Sequence, residues 1–150
     1  MPSATPSDAE LILKLYDMRR EPEMRKARNW FFGFWPENVD EYMKVGTAMG
    51  APENAWLRQV TSYWEMVAAL VQHGAINREL FLEPSVCGEM ILVFSKVQPI
   101  LKDLREKMNS PTAFSNIEKL IMSTPESTQR FKAAQERLQN VRKQMKASGK

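Results

Sequence analysis

Cysteine and histidine are nearly missing from this sequence, with one of each in 150 residues. The lone thiol, Cys87, excludes an intramolecular disulfide. The lone imidazole, His73, rules out a histidine-rich zinc site, a zinc deaminase site with paired cysteines, and the Glu-x-x-His pairs of a di-iron bundle. Glycine is also scarce: the six residues lie too far apart for a phosphate-cradling loop, and the hairpin dipeptide Asn-Gly does not occur. No apolar run nears the roughly 18 residues of a bilayer span, since the densest, Met90 to Phe94, belongs to a longer helical pattern. No two carboxylates stand at a spacing diagnostic of acid–base catalysis. Cys87 and His73 could form a nucleophile–base pair by count alone. Neither lies in a recognisable nucleophile turn, so Cys87 is expected in the core and His73, just before Gly74, at the carbonyl end of a helix. No catalytic residue, metal site or cofactor is therefore expected.

What is present is ordinary globular material, 43% hydrophobic and 26% charged, enough for one core without a staple. Apolar residues recur at three and four positions and no strict alternation persists, which predicts an all-α fold: a compact helical bundle of about seven to eight helices with a long amphipathic C-terminal helix. Residues 1–7 read as a flexible lead, 8–124 as the bundle, and 125–150 as a basic helix, docked on the bundle or self-associating. The lead lacks the basic start and apolar stretch of a secretory signal, and a reducing cytoplasm is expected.

Caps place the helices. Ser7 with Glu10 predicts a capping box and a first helix to about Arg20. Pro22 suits the first turn of a second helix ending near Phe34, before Pro36. Asn38 with Glu41 opens a third, ending near Gly46, and Pro52 a fourth, closed by Gly74. Along the fourth, Trp56, Val60, Tyr63, Val67 and Leu70 form the apolar stripe. A short fifth helix covers Arg78 to Glu83. A sixth runs from Ser85 to Met108 on the stripe Val86, Met90, Val93, Val97, Leu101, Leu104, Met108, bent by Pro99. Ser110-Pro111 and Thr124-Pro125 each pair a capping hydroxyl with a proline, and each predicts a further helix.

Two surfaces stand out. The second helix carries Arg25, Lys26, Arg28, Trp30, Phe31, Phe32, Phe34 and Trp35, with an apolar arc that encloses Arg28 at roughly 100° per residue. A guanidinium so placed needs a carboxylate or an aromatic face. These rings suit the bundle core, yet cations among aromatics also suit single-stranded nucleic acid or a membrane surface. In the tail, Phe131, Ala134, Leu138, Val141 and Met145 step like a coiled-coil seam. Around it the tail is basic, with seven Lys or Arg residues after Pro125 against Glu126 and Glu136, in a chain of net charge +3. The seam can dock on its own domain, a second copy or another protein. The candidate interaction surface is Phe131, Leu138, Val141, Met145, Arg25, Arg28 and Trp35. The ten methionines are read mainly as core filler.

The stretch Tyr63-Trp64-Glu65 through Gly74 to Ile76 and Leu80-Phe81, followed by an apolar helix with Pro99 and Arg105, resembles a family of small bacterial all-helical proteins catalogued as a domain of unknown function. The resemblance implies a helical fold and a bacterial source, and it brings no activity or catalytic residues. Glu65, on the polar face of its helix, is expected to be exposed or paired with an arginine. The function expected is a non-enzymatic protein-interaction or scaffold module, binding a protein partner or itself. The alternative is a nucleic-acid-binding accessory protein using the basic tail and the second helix.

Overall fold

The computed structural model describes residues 2–149, and every described segment of regular structure is helical. Helix α1 (Pro6–Met18) begins two residues earlier than a cap at Ser7 would place it. Pro6, which has no N–H to lose, occupies the first helical position, so Thr5 becomes the cap. Thr5 Oγ1 accepts from Asp8 N (3.3 Å), and the Asp8 carboxylate accepts from Thr5 N (2.7 Å). Asp8 also accepts from Asn77 N (2.7 Å), while Asn77 Nδ2 donates to Pro2 O (3.0 Å). Pro2 and Asp8 thus both meet Asn77, the residue that precedes Arg78. These amide bonds, those of Thr5 first, hold the Asp8 carboxyl below its ordinary range.

Helix α2 (Pro22–Phe32) is capped by the Glu21 carboxylate on Met24 N (2.9 Å), and it stops two residues before Phe34. Asn38 caps α3 (Val39–Gly46) as expected, although Glu41 turns to Glu37 N (2.7 Å) instead of completing the box. Helix α4 (Pro52–Gln72) is the central rod. Gly74, at φ +79°, ends it: its N–H reaches Val71 O (3.0 Å) and Ala75 N reaches Leu70 O (2.9 Å). This backbone closure satisfies the last carbonyls, so the His73 ring is not used there and stays exposed.

Asn77 caps the short α5 (Arg78–Phe81). The expected sixth helix is one bent rod: α6 (Pro84–Val97), a 3-10 turn over Gln98–Ile100, and α7 (Leu101–Lys107). Pro99 lacks the N–H that would continue the ladder, and the tighter turn absorbs the loss. Ser110-Pro111 opens only a turn. Phe114, buried and left-handed at φ 61°, breaks the path, and α8 (Ser115–Ile121) starts after it. Thr124 caps α9 (Pro125–Ala147), with Ser127 N on its hydroxyl (3.0 Å), as the sequence predicts.

The core is built around α4, which packs against α2 and α8, and around α6, which packs against α9. Val60, Tyr63 and Val67 face inward from α4 with Leu57, Trp64 and Val71; Met90, Val93, Val97, Leu101 and Leu104 do so from the bent rod. Only the ends of both expected stripes surface: Trp56 and Val86 are half-buried, and Leu70 and Met108 are exposed. Helix α1 contributes no fully buried side chain.

Candidate interaction groove between α2, α6 and α9

Glu89 answers the Arg28 question. It lies on α6, one residue from the core stripe, with its side chain 9% exposed. Arg28 Nε donates to Glu89 Oε1 (2.8 Å) and Arg19 Nη1 to Glu89 Oε2 (3.3 Å). Arg28 also donates to Arg19 O (3.3 Å), and the Arg19 guanidinium covers the Trp64 ring at 5.2 Å. Two cations and one carboxylate thus bolt α1 and α2 to α6. Arg28 is engaged by Glu89 and Arg19 O within the bundle.

The aromatic run of α2 divides between core and surface. Phe31 is buried, and Trp30 stacks on Phe34 with centroids 4.8 Å apart, against the partly buried Trp56. Phe32 is 42% exposed and Trp35 half-buried. Against Trp35 lies a buried lysine that helical periodicity alone does not single out. Lys96, only 6% exposed, sends Nζ to the carbonyls of Phe31 and Phe32, both at 2.8 Å, and so closes the C-terminus of α2. Its ammonium sits 4.6 Å from the Trp35 ring and 5.2 Å from Phe31, and it meets no carboxylate among the described residues. Burial, with the Arg142 charge second, pushes the Lys96 pKa down to about 8. The signal available in the sequence was a single lysine inside the apolar run Met90 to Val97; Glu89 beside Gly88 was a similar one.

Helix α9 is docked along its first half. Phe131 is buried against Phe94, with centroids 5.2 Å apart, and is therefore core, so it leaves the candidate surface. Gln135 donates to Gln98 Oε1 (3.0 Å). Farther along, Arg142 donates to Trp35 O (2.8 Å) and pairs with Glu37 (3.0 Å), which Lys146 also reaches. Those two cations, Lys146 first, hold the Glu37 carboxyl below its usual range. The seam itself rises from the body: Leu138 is half-buried, Val141 is 47% exposed and Met145 is 41% exposed.

Phe32, Trp35, Leu92, Ala134, Leu138 and Val141 line one hollow of about 460 Å³, with Gly88, Lys96 and Arg137 completing it. Trp35, Leu138 and Val141, predicted from two distant segments, come together here. Met145 continues the seam one turn beyond. Arg25 is exposed but does not line the hollow. The methionines depart from expectation. Met24 and Met90 are core, whereas Met18, Met49, Met66, Met108, Met122 and Met145 are exposed. Cys87 is wholly buried, its Sγ–H directed at Leu82 O (3.5 Å), and burial pushes the thiol up.

The sequence profile of a family described as Domain of unknown function (DUF4760) matches residues 4–124. The chain belongs to this family. No curated protein and no solved structure matches it. The DUF4760 span covers α1 to α8 and ends at Thr124, so α9 lies beyond the matched residues. One wall of the groove, with Phe32, Trp35, Leu92 and Lys96, is DUF4760 domain; the other, with Leu138 and Val141, is α9.

Proposed function

We propose that this chain is a non-enzymatic helical interaction module that seats an apolar helix of a partner protein in the groove between α2, α6 and α9. The observation that carries the reading is the second half of α9, which keeps a coiled-coil spacing in Leu138, Val141 and Met145 while leaving it open beside Phe32 and Trp35. Exposed large apolar groups gathered around one hollow mark interaction surfaces, and a helix laid in a groove uses anchors at this spacing. Among the described residues no helix is long and apolar enough to cross a membrane. Nucleic acid is the weaker reading. Of the cations on α2, Lys26 pairs with Glu23 (2.8 Å) and Arg28 with Glu89, and the Trp35 ring has Lys96 and Arg142 against it, not free faces for bases.

The test is calorimetric titration with a synthetic amphipathic helix of about four turns bearing a leucine stripe and a glutamine polar face. Micromolar binding is expected, and the double variant Leu138→Asp, Val141→Asp should weaken it by at least about tenfold. If the peptide binds the variant equally well, or binds neither protein, the reading is lost. A solution mass of twice the monomer, reduced to one by the same variant, would identify a second copy as the partner.

A further inference from the structure

Resting on that reading of the groove, we infer that the partner helix is acidic, placing a carboxylate against Lys96 and Arg137 while its apolar ridge fills the hollow. The lining contains those two cations and no carboxylate. The nearby acid, Glu37, is already held by Arg142 and Lys146. Lys96 is the more telling cation. Its stem crosses the core boundary, and among the described residues its ammonium is met only by two carbonyl dipoles and two aromatic rings. An ammonium removed from water without a full counter-charge is unfavourable, and one donor of its three is left without an oxygen partner. An incoming carboxylate would supply both the charge and the acceptor.

The surroundings point the same way. On the distal half of α9, Arg137 and Lys143 are exposed and form no ion pair among the described residues. The large hollow between α1, α2 and α4, about 870 Å³, is different: Asp17 and Glu21 line it beside Arg20, so it carries no such one-sided field. Positive charge is thus concentrated where the apolar seam is open. Complementary charge at such a site sets which partner is accepted more than how tightly any helix binds.

The experiment uses the full chain and three peptides that share the leucine stripe and differ in polar face: glutamate, glutamine or lysine. At low salt the glutamate peptide should bind about tenfold tighter than the glutamine one, and the lysine peptide weakest, with the spread narrowing as ionic strength rises. Lys96→Met and Arg137→Met, each read as the ratio of glutamate to glutamine peptide affinity, should both shrink the glutamate advantage, Lys96→Met the more; if Lys96→Met does not fold, Arg137→Met carries the same comparison. Equal binding of glutamate and glutamine peptides, or an advantage that survives both variants, overturns the acidic partner while the groove itself stands. Failure of all three peptides overturns the groove and the inference together. An oligothymidylate that binds more tightly than the glutamate peptide also overturns it.

Discussion

Lys96 shows how one side chain can close a helix and still remain unsatisfied. Its bonds to Phe31 O and Phe32 O take the place of the water those terminal carbonyls would otherwise need, but the ammonium lies where water cannot reach it well. The consequence is a pH dependence of known sign. The folded pKa, about 8, lies below the ordinary 10.5. Between those values the unfolded chain holds a proton that the folded chain has lost, so unfolding free energy rises with pH across the window. Below pH 8 the cost of the buried charge is fully present; above 10.5 it has gone. Urea midpoints of the native chain and of Lys96→Met, measured at both ends of this window, should show the native chain gaining relative to the variant. A difference that stays flat would mean that Lys96 keeps its ordinary pKa.

At the scale of elements, the helices differ in how they are held. Helix α4 is buried over most of its length, whereas α1 is held largely by polar ties, from the Tyr63 hydroxyl to Leu15 O (2.5 Å) and from Arg19 to Glu89. Helix α8 is held by a residue 50 positions away from its start in sequence. Lacking a local cap, it presents Asn116 N and Ile117 N to the Glu65 carboxylate (3.2 and 3.0 Å), and Asn116 Nδ2 adds a third bond (2.9 Å). Glu65 is therefore neither exposed nor paired with an arginine. It does for α8 what a cap does, with its charge at the positive end of the helix. Glu65→Ala should cost about 1–2 kcal/mol and speed amide exchange selectively in α8. Uniform loss of protection across the bundle would instead assign Glu65 to the global fold.

For the whole molecule, α9 has two roles divided near its middle. Phe131 and Ser127 belong to the core, and Ser127 Oγ donates to Ile121 O (2.5 Å). Beyond Leu138 the helix is held by Arg142, Lys146 and Glu37, contacts that lie near the surface and are individually weak. A chain ending at Asn140 should fold with a loss of about 1–2 kcal/mol, because only these contacts go. One ending at Thr124 should lose about 3–5 kcal/mol or more, because Phe94 is stripped of Phe131 and a cavity opens at the core. Denaturant unfolding of the two truncations checks this; equal losses would mean that α9 is not divided.

Periodicity and punctuation by themselves determined that the chain is helical, where α3, α4 and α9 begin, and that Pro99 interrupts the long sixth segment, because these depend on bonds closed within a few residues. Arg28 could be seen to need a partner, but not that Glu89 is the partner. What only the tertiary structure decided is which distant groups meet: Glu65 with α8, Lys96 with the end of α2, Phe131 with Phe94, and Trp35 with Leu138 and Val141. A buried charge or an open helix end must be satisfied by something, and the sequence states that need locally. The packing of remote helices chooses what satisfies it, and therefore which part of an apolar stripe is covered and which is left facing water.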